Sequence, residues 1–372
     1  MKPAVDILTD LVAIPSVSSM SNRPVIDYAL RTLDPRRWKT RLHPYSDAAG
    51  VAKFNLVART GREPAELALV CHTDTVPFAS DWKEAVSPRV RGGKLYGRGS
   101  CDVKGFLACV LTCLSELDVA RLSKPLALVL TADEEVGCVG AKLLARKKAV
   151  RARYMIIGEP TGLRPVRAGK GYALAEIIVR GKEAHSAFPG QGRSAIYDAA
   201  RVVERIERVA RKLASRKNPD FDPPFTTLNV GLIQGGTAKN IVAGECRITV
   251  EWRPIPGQDP SFAADLIREE LARLARGTPG FQAKLHVKRL DPPFVPAPSD
   301  RLAKLLETLT QRRRATVSFG TEAAHLSSLT SEAIVFGPGN MTTAHKTGEF
   351  VRVADLGRCV RHLKAVIQSL CG

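Results

Sequence analysis

The sequence predicts an α/β protein with a central mixed, largely parallel sheet, into which a smaller ferredoxin-like α+β domain is inserted. Three observations carry this prediction. Short, nearly continuous apolar runs alternate with helical patterns over the first 160 residues, as buried parallel strands and their crossover helices require. The middle of the chain alternates between apolar and polar residues instead, and the C-terminal part returns to a continuous apolar run.

The larger domain is predicted from four strands and two helices. The four apolar runs have strand length and are typical of strands buried on both faces; they span residues 67–71, 126–130, 154–158 and 333–337. The apolar spacing of residues 105–117 predicts a packed helix, and residues 353–370 form a basic amphipathic one. Strands that alternate with helices in this way favour a largely parallel sheet.

The inserted domain is predicted from the order strand, helix, strand, strand, helix, strand, which is typical of a split βαβ sandwich. Its segments span residues 172–180, 194–213, 226–234, 246–254, 261–274 and 283–290. We expect the insertion to cover residues 168–290. Residues 1–167 and 291–372 would then form one discontinuous domain.

Composition places the protein among large water-soluble chains. It has 372 residues, of which 44% are hydrophobic, and no apolar run approaches the roughly 18 residues that span a bilayer. Asp6 and Asp10 interrupt the apolar pattern at the N-terminus, unlike a secretory signal. The eight cysteines form no C-x-x-C pair and most lie in apolar runs. We therefore expect a cytoplasmic protein with buried free thiols and no membrane contact.

The net charge of +19 raises the question of nucleic-acid binding. Basic residues are spread along the whole chain, and aromatic residues make up only 6% of it. Bases stack on basic surfaces that are interleaved with aromatic side chains, and no such stripe is present. The segment GRGSCDVKG also lacks the phosphate-binding G-x-x-x-x-G-K-S/T pattern. We predict a basic surface that binds neither nucleic acid nor nucleotides.

Histidine and carboxylate residues stand at the ends of the predicted strands. They are His72, Asp74, Asp102, Glu134, Glu135, Glu159 and His345. Ligands in open α/β sheets gather beyond the carboxyl ends of the strands, so residues from five segments are expected to meet at one edge. Nitrogen and oxygen ligands of this kind suit Zn²⁺, Co²⁺ or Mn²⁺. The pattern indicates a hydrolytic centre with two metal ions.

The spacing of these residues indicates that the members of two close pairs have different roles, but it does not say which member has which role. His72 and Asp74 are two residues apart in an extended segment and can share a side, so that one binds metal while the other orients the imidazole. Glu134 and Glu135 are adjacent and should point apart. We expect one of this pair to be a ligand and the other to accept a proton from activated water.

These segments resemble a known family over essentially the full length of the chain. The motifs are HTDTVPF, YGRGSCDVKG, TADEEVG, IIGEPT, AHSAFPG, TLNVGLIQGG, EWRPIPG, GTEA and GPGNMTTAH. In order and spacing they are similar to the di-zinc aminoacylase/carboxypeptidase family, and most of all to its deacetylases of acetylornithine. The resemblance implies a zinc-peptidase-like catalytic domain that carries an inserted dimerisation, or lid, domain.

The resemblance also implies a role for each residue of the site. Asp102 would bridge two divalent ions, with Zn²⁺ expected first and Co²⁺ or Mn²⁺ as alternatives. His72 and Glu159 would complete one metal site, and Glu135 and His345 the other. Glu134 would serve as general base and then general acid. Asp74 would orient His72.

Three residues of the predicted insertion and one outside it are expected to act on the substrate. From the sequence alone, His185 is typical of an exposed loop, and Arg253 of a cap at a strand end. The resemblance implies that His185 donates a hydrogen bond to the developing oxyanion, often from the neighbouring subunit of a homodimer. It further implies that Asn240, Arg253 and Thr321 hold the substrate.

The function expected from these residues is metal-dependent removal of an N-acyl group from an amino acid. The resemblance favours conversion of N2-acetyl-L-ornithine to L-ornithine and acetate, a step of arginine biosynthesis. Desuccinylation of succinyl-diaminopimelate and cleavage of dipeptides use the same chemistry and are the alternatives. A non-catalytic basic binding protein is a remote third possibility, and it predicts missing ligands, whereas every ligand position is filled.

Overall fold

The computed structural model describes residues 2–372, which form fifteen strands and nine α-helices. The strands are β1 (Lys39–Ser46), β2 (Ala52–Arg59), β3 (Ala65–His72), β4 (Arg89–Arg91), β5 (Lys94–Tyr96), β6 (Leu126–Thr131), β7 (Ala152–Gly158), β8 (Val166–Gly169), β9 (Tyr172–Arg180), β10 (Thr227–Gly235), β11 (Glu245–Arg253), β12 (Gln282–Asp291), β13 (Ala315–Val317), β14 (Thr330–Phe336) and β15 (Phe350–Arg352). The helices are α1 (Ala4–Val12), α2 (Arg23–Thr32), α3 (Lys104–Glu116), α4 (Val139–Arg146), α5 (Ala195–Ala214), α6 (Phe262–Gly277), α7 (Arg301–Thr310), α8 (Ala323–Leu326) and α9 (Val353–Cys371).

The chain divides into two compact units. One comprises residues 1–167, 296–315 and 321–372, and the other comprises residues 168–295 and 316–320. The second unit thus extends a few residues beyond the predicted insertion and includes a short segment from later in the chain. Hydrogen bonds explain that addition, because the Ser318 hydroxyl donates to the Asp222 carbonyl at 2.6 Å and Lys170 N–H donates to the Val317 carbonyl.

The first unit is built on a mixed sheet of eight strands in the order β1-β2-β6-β3-β7-β14-β8-β13. Its centre is parallel, since β3 pairs in parallel with both β6 and β7, and β7 pairs in parallel with β14. Two antiparallel strands, β1 and β2, close one edge. The predicted α/β fold with a mixed, largely parallel sheet is confirmed.

Burial explains why the central strands are continuous apolar runs. Every residue from Leu67 to Cys71 is fully buried, and so is nearly all of α3. Helices α1 and α9 both pack against α3 in the main apolar core. Strands that are covered on both faces have no solvent-exposed polar face. The carboxyl edge of the parallel strands is therefore anchored in the buried core.

The second unit has a four-stranded antiparallel sheet in the order β10-β11-β9-β12. Alternate residues of β9 are buried beneath α5 and α6: Ala173, Ala175, Ile177 and Val179. The intervening residues of the strand are partly exposed. This alternation is that of a sheet with one covered face, and the observed elements follow the predicted order.

Several elements were not predicted: helices α1, α2, α4, α7 and α8, strands β8 and β13, and two further features of the sheets. The antiparallel pair β1 and β2 is more polar than the central strands, and β4, β5 and β15 form a small separate sheet of three-residue strands. All eight cysteines are free and buried, as predicted. Among residues 2–372, no helix has the length and apolar character that crossing a bilayer requires.

Candidate metal centre and active site

The ends of the parallel strands bring the predicted ligands together. His72 is the last residue of β3, Glu135 follows β6, and Glu159 follows β7 directly. Asp102 lies in the loop before α3, and His345 lies in the loop after β14. Parallel strands present their carboxyl ends at one edge, so side chains from distant parts of the chain converge within the first unit.

The five residues form two groups that share one member. His72, Asp102 and Glu159 form the first group, and Asp102, Glu135 and His345 form the second; within each group the ligand atoms lie within 4.8 Å of one another. Asp102 turns one oxygen to each imidazole, with 3.2 Å from Oδ1 to His72 Nε2 and 3.1 Å from Oδ2 to His345 Nε2. This is the disposition that a carboxylate bridging two ions requires.

The electrostatics of the cluster favour bound cations. Burial raises the pKa of Glu159 well above its ordinary value, and the charges of Asp102 and Glu134 raise it further. Burial alone would raise the pKa of Asp102, yet hydrogen bonds from His345 and His72 hold it below its usual range. Hydrogen bonds with Asp102 and Glu135 raise the pKa of His345 to about 10. Carboxylates buried together are costly unless they are paired or bind metal, so the residues fit two divalent ions.

The adjacent glutamates diverge, as their spacing predicts. The side chain of Glu135 reaches His345, with 3.2 Å between Oε2 and Nε2. Glu134 makes no such contact; its Oε1 accepts a weak hydrogen bond from Cys138 Sγ at 3.4 Å. Burial raises the pKa of Glu134 to about 8. Glu134 is therefore a carboxylate beside the ligand groups but outside them, and near-neutral pKa values suit a group that exchanges protons.

Asp74 contacts the site in two ways. The nearest atom to His72 Nδ1 is the main-chain oxygen of Asp74 at 3.1 Å, and the carboxylate Oδ1 lies at 3.8 Å. The carboxylate instead accepts the backbone N–H groups of Glu134 at 3.0 Å and Glu135 at 3.3 Å. The Ser18 hydroxyl donates to Oδ2 at 2.7 Å. Asp74 is thus placed both to orient the imidazole and to hold the loop that carries the two glutamates.

A buried ion pair that the sequence did not reveal supports the loop of Asp102. Glu349 accepts the backbone N–H groups of Cys101 at 2.9 Å and Asp102 at 3.1 Å. The Arg98 guanidinium pairs with the same carboxylate at 2.6 Å, and both side chains are almost fully buried. Glu349 is 247 residues from Asp102 in the chain, and nothing in the short segment around it marks it as a partner of that loop.

Thr321 and Glu322 are buried in the first unit, just before α8. The Thr321 hydroxyl accepts the backbone N–H of Ala323 at 3.1 Å, which leaves its proton free to donate. Burial raises the pKa of Glu322 to about 7, against the lowering effects of the His72 charge and of a contact with the Thr131 side chain. Neither Glu322 oxygen has a hydrogen-bond donor of good geometry. Glu322 belongs to the segment GTEA but was not among the predicted site residues.

The second unit places His185 and Asn240 side by side and Arg253 elsewhere. Ser186 N–H donates to the Asn240 carbonyl at 3.0 Å, and His185 Nδ1 accepts the backbone N–H of Ala187 at 3.1 Å. Both His185 and Asn240 are exposed. Arg253 ends β11, lies 4.2 Å from the ring centre of Tyr172 and pairs with Glu251 at 3.5 Å.

The register of the sheet separates these residues. Arg180 pairs with Glu245, whereas Ala173 at the other end of β9 pairs with Trp252. His185 and Asn240 lie near the Arg180 end and Arg253 lies at the Tyr172 end. The eight steps from Glu245 to Arg253 span roughly 26 Å at about 3.3 Å per residue. One small substrate therefore cannot contact His185 and Arg253 of the same chain.

The chain is similar to known proteins over nearly its full length. The model of peptidase family M20/M25/M40 matches residues 68–369. An acetylornithine deacetylase of Myxococcus xanthus is 46% identical over 98% of this chain and 97% of its own length. An acetylornithine deacetylase of Proteus mirabilis is 33% identical over 99% of this chain and 96% of its own.

Solved structures share the fold at low sequence identity. The M20 family metallo-carboxypeptidase Sso-CP2 from Sulfolobus solfataricus superposes with a TM-score of 0.78 at 18% identity, covering 99% of both chains. Aminopeptidase PepT from Bacillus cereus gives a TM-score of 0.77 at 21% identity, covering 99% of this chain and 98% of its own. Given the family match over most of its length, the chain belongs to peptidase family M20/M25/M40, a family of hydrolases.

Proposed function

We propose that this hydrolase removes the acetyl group from N2-acetyl-L-ornithine and releases L-ornithine and acetate, a step of arginine biosynthesis. The observation that carries the proposal is the pair of ligand groups joined by Asp102, with Glu134 beside them. The relative named acetylornithine deacetylase at 46% identity supports this substrate. Desuccinylation and dipeptide cleavage by the same chemistry are not favoured, since the relatives named acetylornithine deacetylase match nearly the whole chain at 46% and 33% identity.

Two divalent ions fit the ligand groups, and we propose zinc, with cobalt or manganese as substitutes. His72, Asp102 and Glu159 would hold one ion, and Asp102, Glu135 and His345 the other. When bound, such ions acidify a water molecule and polarise an amide carbonyl. Three ligand carboxylates leave a residual positive formal charge on two divalent ions, which favours an oxyanion over a neutral amide.

The remaining groups of the first unit supply proton transfer and position. Glu134 would accept the proton of the attacking water and pass it to the leaving amine, since its carboxylate lies beside the ligand groups without belonging to either. Asp74 would keep the His72 ring in one orientation, because its main-chain oxygen lies 3.1 Å from Nδ1.

The substrate itself offers three features to recognise. Its α-carboxylate would pair with Arg253, whose guanidinium can bind a carboxylate through two hydrogen bonds, and Thr321 would contact its polar groups. Asn240 lies beside His185 at the other end of the sheet, so it would reach the substrate of the partner chain together with His185. Its side chain ends in an ammonium group. Glu322, a buried carboxylate without a good donor, would provide the negative charge that favours this cation over a neutral side chain.

A homodimer would reconcile the proposed role of His185 with its position. His185 and Arg253 lie at opposite ends of the second unit's sheet, so the oxyanion donor for a substrate held by one Arg253 must come from another chain. The edge strand β10 is unpaired on one side. Exposed apolar side chains lie on it and near it, namely Leu232, Ile233, Ile196, Tyr197 and Phe188. We propose that this edge forms the dimer interface and that the enzyme works in the cytoplasm, where its eight free thiols stay reduced.

A panel of N-acyl amino acids tests the proposed function. We expect zinc-loaded protein to hydrolyse N2-acetyl-L-ornithine with the highest kcat/KM in a panel that includes succinyl-diaminopimelate, N-acetylmethionine and dipeptides. A preference of a thousandfold or more for another member would refute the proposed substrate. Absence of turnover on every member by protein with two zinc ions per chain would refute the proposed reaction.

A further inference from the structure

The second antiparallel strand carries an unusual pair of buried polar residues. Lys53 and Asn55 lie two positions apart in β2, so their side chains point to the same face of the strand. Lys53 is 1% exposed and Asn55 is fully buried. A buried ammonium group is costly unless oxygen atoms surround it, and the contacts of Lys53 lead directly towards the active site.

Four oxygen atoms surround the Lys53 ammonium group. It donates to the main-chain carbonyl of Ser18 and to that of Met20 at 2.9 Å. It pairs with Asp133 Oδ1 at 3.1 Å and with Asp47 Oδ2 at 3.5 Å. One buried cation thus joins the N-terminal loop around Ser18 to the acidic loop that follows β6.

The contact with Ser18 reaches Asp74. The carbonyl of Ser18 is bound by Lys53, while its hydroxyl donates to Asp74 Oδ2 at 2.7 Å and its N–H donates to the Thr75 carbonyl at 3.1 Å. Ser18 is therefore fixed on both sides, and the position of its hydroxyl depends on where Lys53 holds its main chain.

The contact with Asp133 reaches Glu134 and Glu135. Asp133 has a φ of 59°, a left-handed conformation that costs free energy in a residue with a side chain. Its carboxylate is held by Lys53 and by the Tyr45 hydroxyl, which donates to Oδ2 at 2.9 Å. Asn55 Oδ1 also accepts the backbone N–H of the preceding Ala132 at 3.0 Å. The strained turn before the glutamates is thus anchored to β2.

Both connections end on the same carboxylate. Asp74 accepts the Ser18 hydroxyl from one loop and the backbone N–H groups of Glu134 and Glu135 from the other. We propose that Lys53 is a positioning residue that sets the alignment of the Glu134 carboxylate with the metal ligands by fixing both loops against β2. It contacts no ligand of the metal groups itself, and its effect on catalysis passes through Asp133 and Ser18. The inference rests on the proposed amidohydrolase function.

The test compares Lys53→Met with wild-type protein, both loaded with zinc. We expect kcat on N2-acetyl-L-ornithine to fall about 10- to 100-fold, the usual effect of losing a partner that orients ligands. KM should change less than about threefold, because the substrate contacts are untouched. If Lys53 acts through Asp133, the fall in kcat of the double variant K53M/D133N should be no larger than the greater of the falls in kcat of the two single variants.

Lys170→Met is the matched control. Lys170 is also 1% exposed, and its ammonium donates to the carbonyls of Pro223 and Phe225, both at 2.7 Å, within the second unit. The Lys170→Met substitution should lower the thermal midpoint of unfolding while kcat stays within about threefold of wild type, since Lys170 contacts neither the Ser18 loop nor the Asp133 loop. Equal losses of kcat in the two variants would mean that any buried lysine matters only for stability, and would overturn the proposal.

Tyr45→Phe keeps the proposal testable if Lys53→Met does not fold. It removes only the hydroxyl that holds Asp133 Oδ2, and we expect a loss of roughly 3- to 10-fold in kcat with unchanged zinc content. Wild-type kcat in Tyr45→Phe, or in folded Lys53→Met, would overturn the positioning role. If the wild-type protein deacylates no substrate, the proposed function fails, and zinc titration of Lys53→Met then tests the positioning role by itself. Weaker zinc binding at the group of Asp102, Glu135 and His345 would support that role. Zinc affinity equal to that of the wild type would refute it.

Discussion

At the scale of single residues, the proposed site separates the residues that would bind cations from Glu134, which would exchange protons. Glu134 and Glu135 are neighbours in sequence with different surroundings, because only Glu135 reaches His345. The strained φ of Asp133 and the two N–H donations to Asp74 turn the two side chains apart. The different roles proposed for Glu134 and Glu135 therefore depend on the backbone conformation of their loop as much as on residue type.

Glu134→Gln tests that division. The amide has the same shape and cannot accept the proton of the attacking water, so kcat should fall by about 10²- to 10⁴-fold. KM and the zinc content should stay near wild type, because Glu134 belongs to neither ligand group. Steady-state kinetics with metal analysis checks this. An active variant would remove Glu134 from the proton path, and loss of zinc would make it a ligand.

Glu322→Gln tests how the substrate's side chain is recognised. We expect kcat/KM on N2-acetyl-L-ornithine to fall about 10- to 100-fold, because the ammonium group loses a buried charge partner. Turnover of N-acetylmethionine, which has no such cation, should change little. Parallel progress curves on the two substrates provide the measurement. Equal losses on both would assign Glu322 to the metal centre rather than to specificity.

At the scale of elements, short connections are held by charged side chains that cross between segments. Arg314, just before β13, binds Glu307 of α7 through three hydrogen bonds, from its backbone N–H at 2.7 Å and from its guanidinium at 2.6 and 3.0 Å. The Arg314 guanidinium lowers the pKa of Glu307 below its ordinary value. Two-point pairs of this kind are stronger than single surface contacts.

Because the pKa of Glu307 is lowered in the folded protein, its contribution to the free energy of unfolding must decrease as the pH falls. A carboxylate whose pKa is lower in the folded protein stabilises it above the unfolded pKa of about 4.3, and loses that effect as pH falls through the folded value. Glu307→Gln should therefore cost about 1 kcal/mol of unfolding free energy at pH 7 and much less near pH 3. Urea unfolding at the two pH values measures the difference.

Glu204→Gln serves as the control for that comparison. Glu204 pairs with Arg208 on α5 at 2.6 Å, but about half of each side chain is exposed, and exposed pairs of this kind stabilise little. We expect Glu204→Gln to leave the free energy of unfolding almost unchanged at both pH values. A cost for Glu307→Gln that did not decrease on acidification would contradict the assignment of its stabilising effect to the charge pair.

The elements themselves were well predicted where burial imposes a simple pattern. Leu67 to Cys71 must be apolar throughout because β3 is covered on both faces, and β9 must alternate because one face is bare. Strands β1 and β2 were missed since residues such as Lys53 and Asn55 break the apolar run for the sake of contacts with distant loops. Local sequence carries no sign of those partners.

At the scale of the whole molecule, the predicted ligands meet because a parallel sheet gathers its carboxyl ends, and this could be inferred from the sequence. The supporting residues could not. Glu349 holds the Asp102 loop from 247 residues away, and Lys53 joins the loop that follows α1 to the loop that follows β6. Such contacts depend on three-dimensional neighbours rather than on any spacing along the chain.

The proposed dimer makes its own prediction at this scale. If His185 acts on the partner's substrate, Glu134→Gln and His185→Ala should each be nearly inactive alone, yet a refolded equal mixture should regain about a quarter of wild-type activity. Half of the dimers in a random mixture are mixed, and each has one site with both native residues. No recovery above the two separate variants would place His185 on its own chain's substrate or outside catalysis.

We propose that two ions held on a shared Asp102 enable this chain to deacetylate acetylornithine. The most direct measurement is the initial rate of L-ornithine release from N2-acetyl-L-ornithine as zinc is added to chelator-stripped protein. We predict almost no rate without metal, an increase up to two zinc ions per chain and a plateau beyond. Full activity in stripped protein, or two bound zinc ions with no ornithine released, would contradict the account.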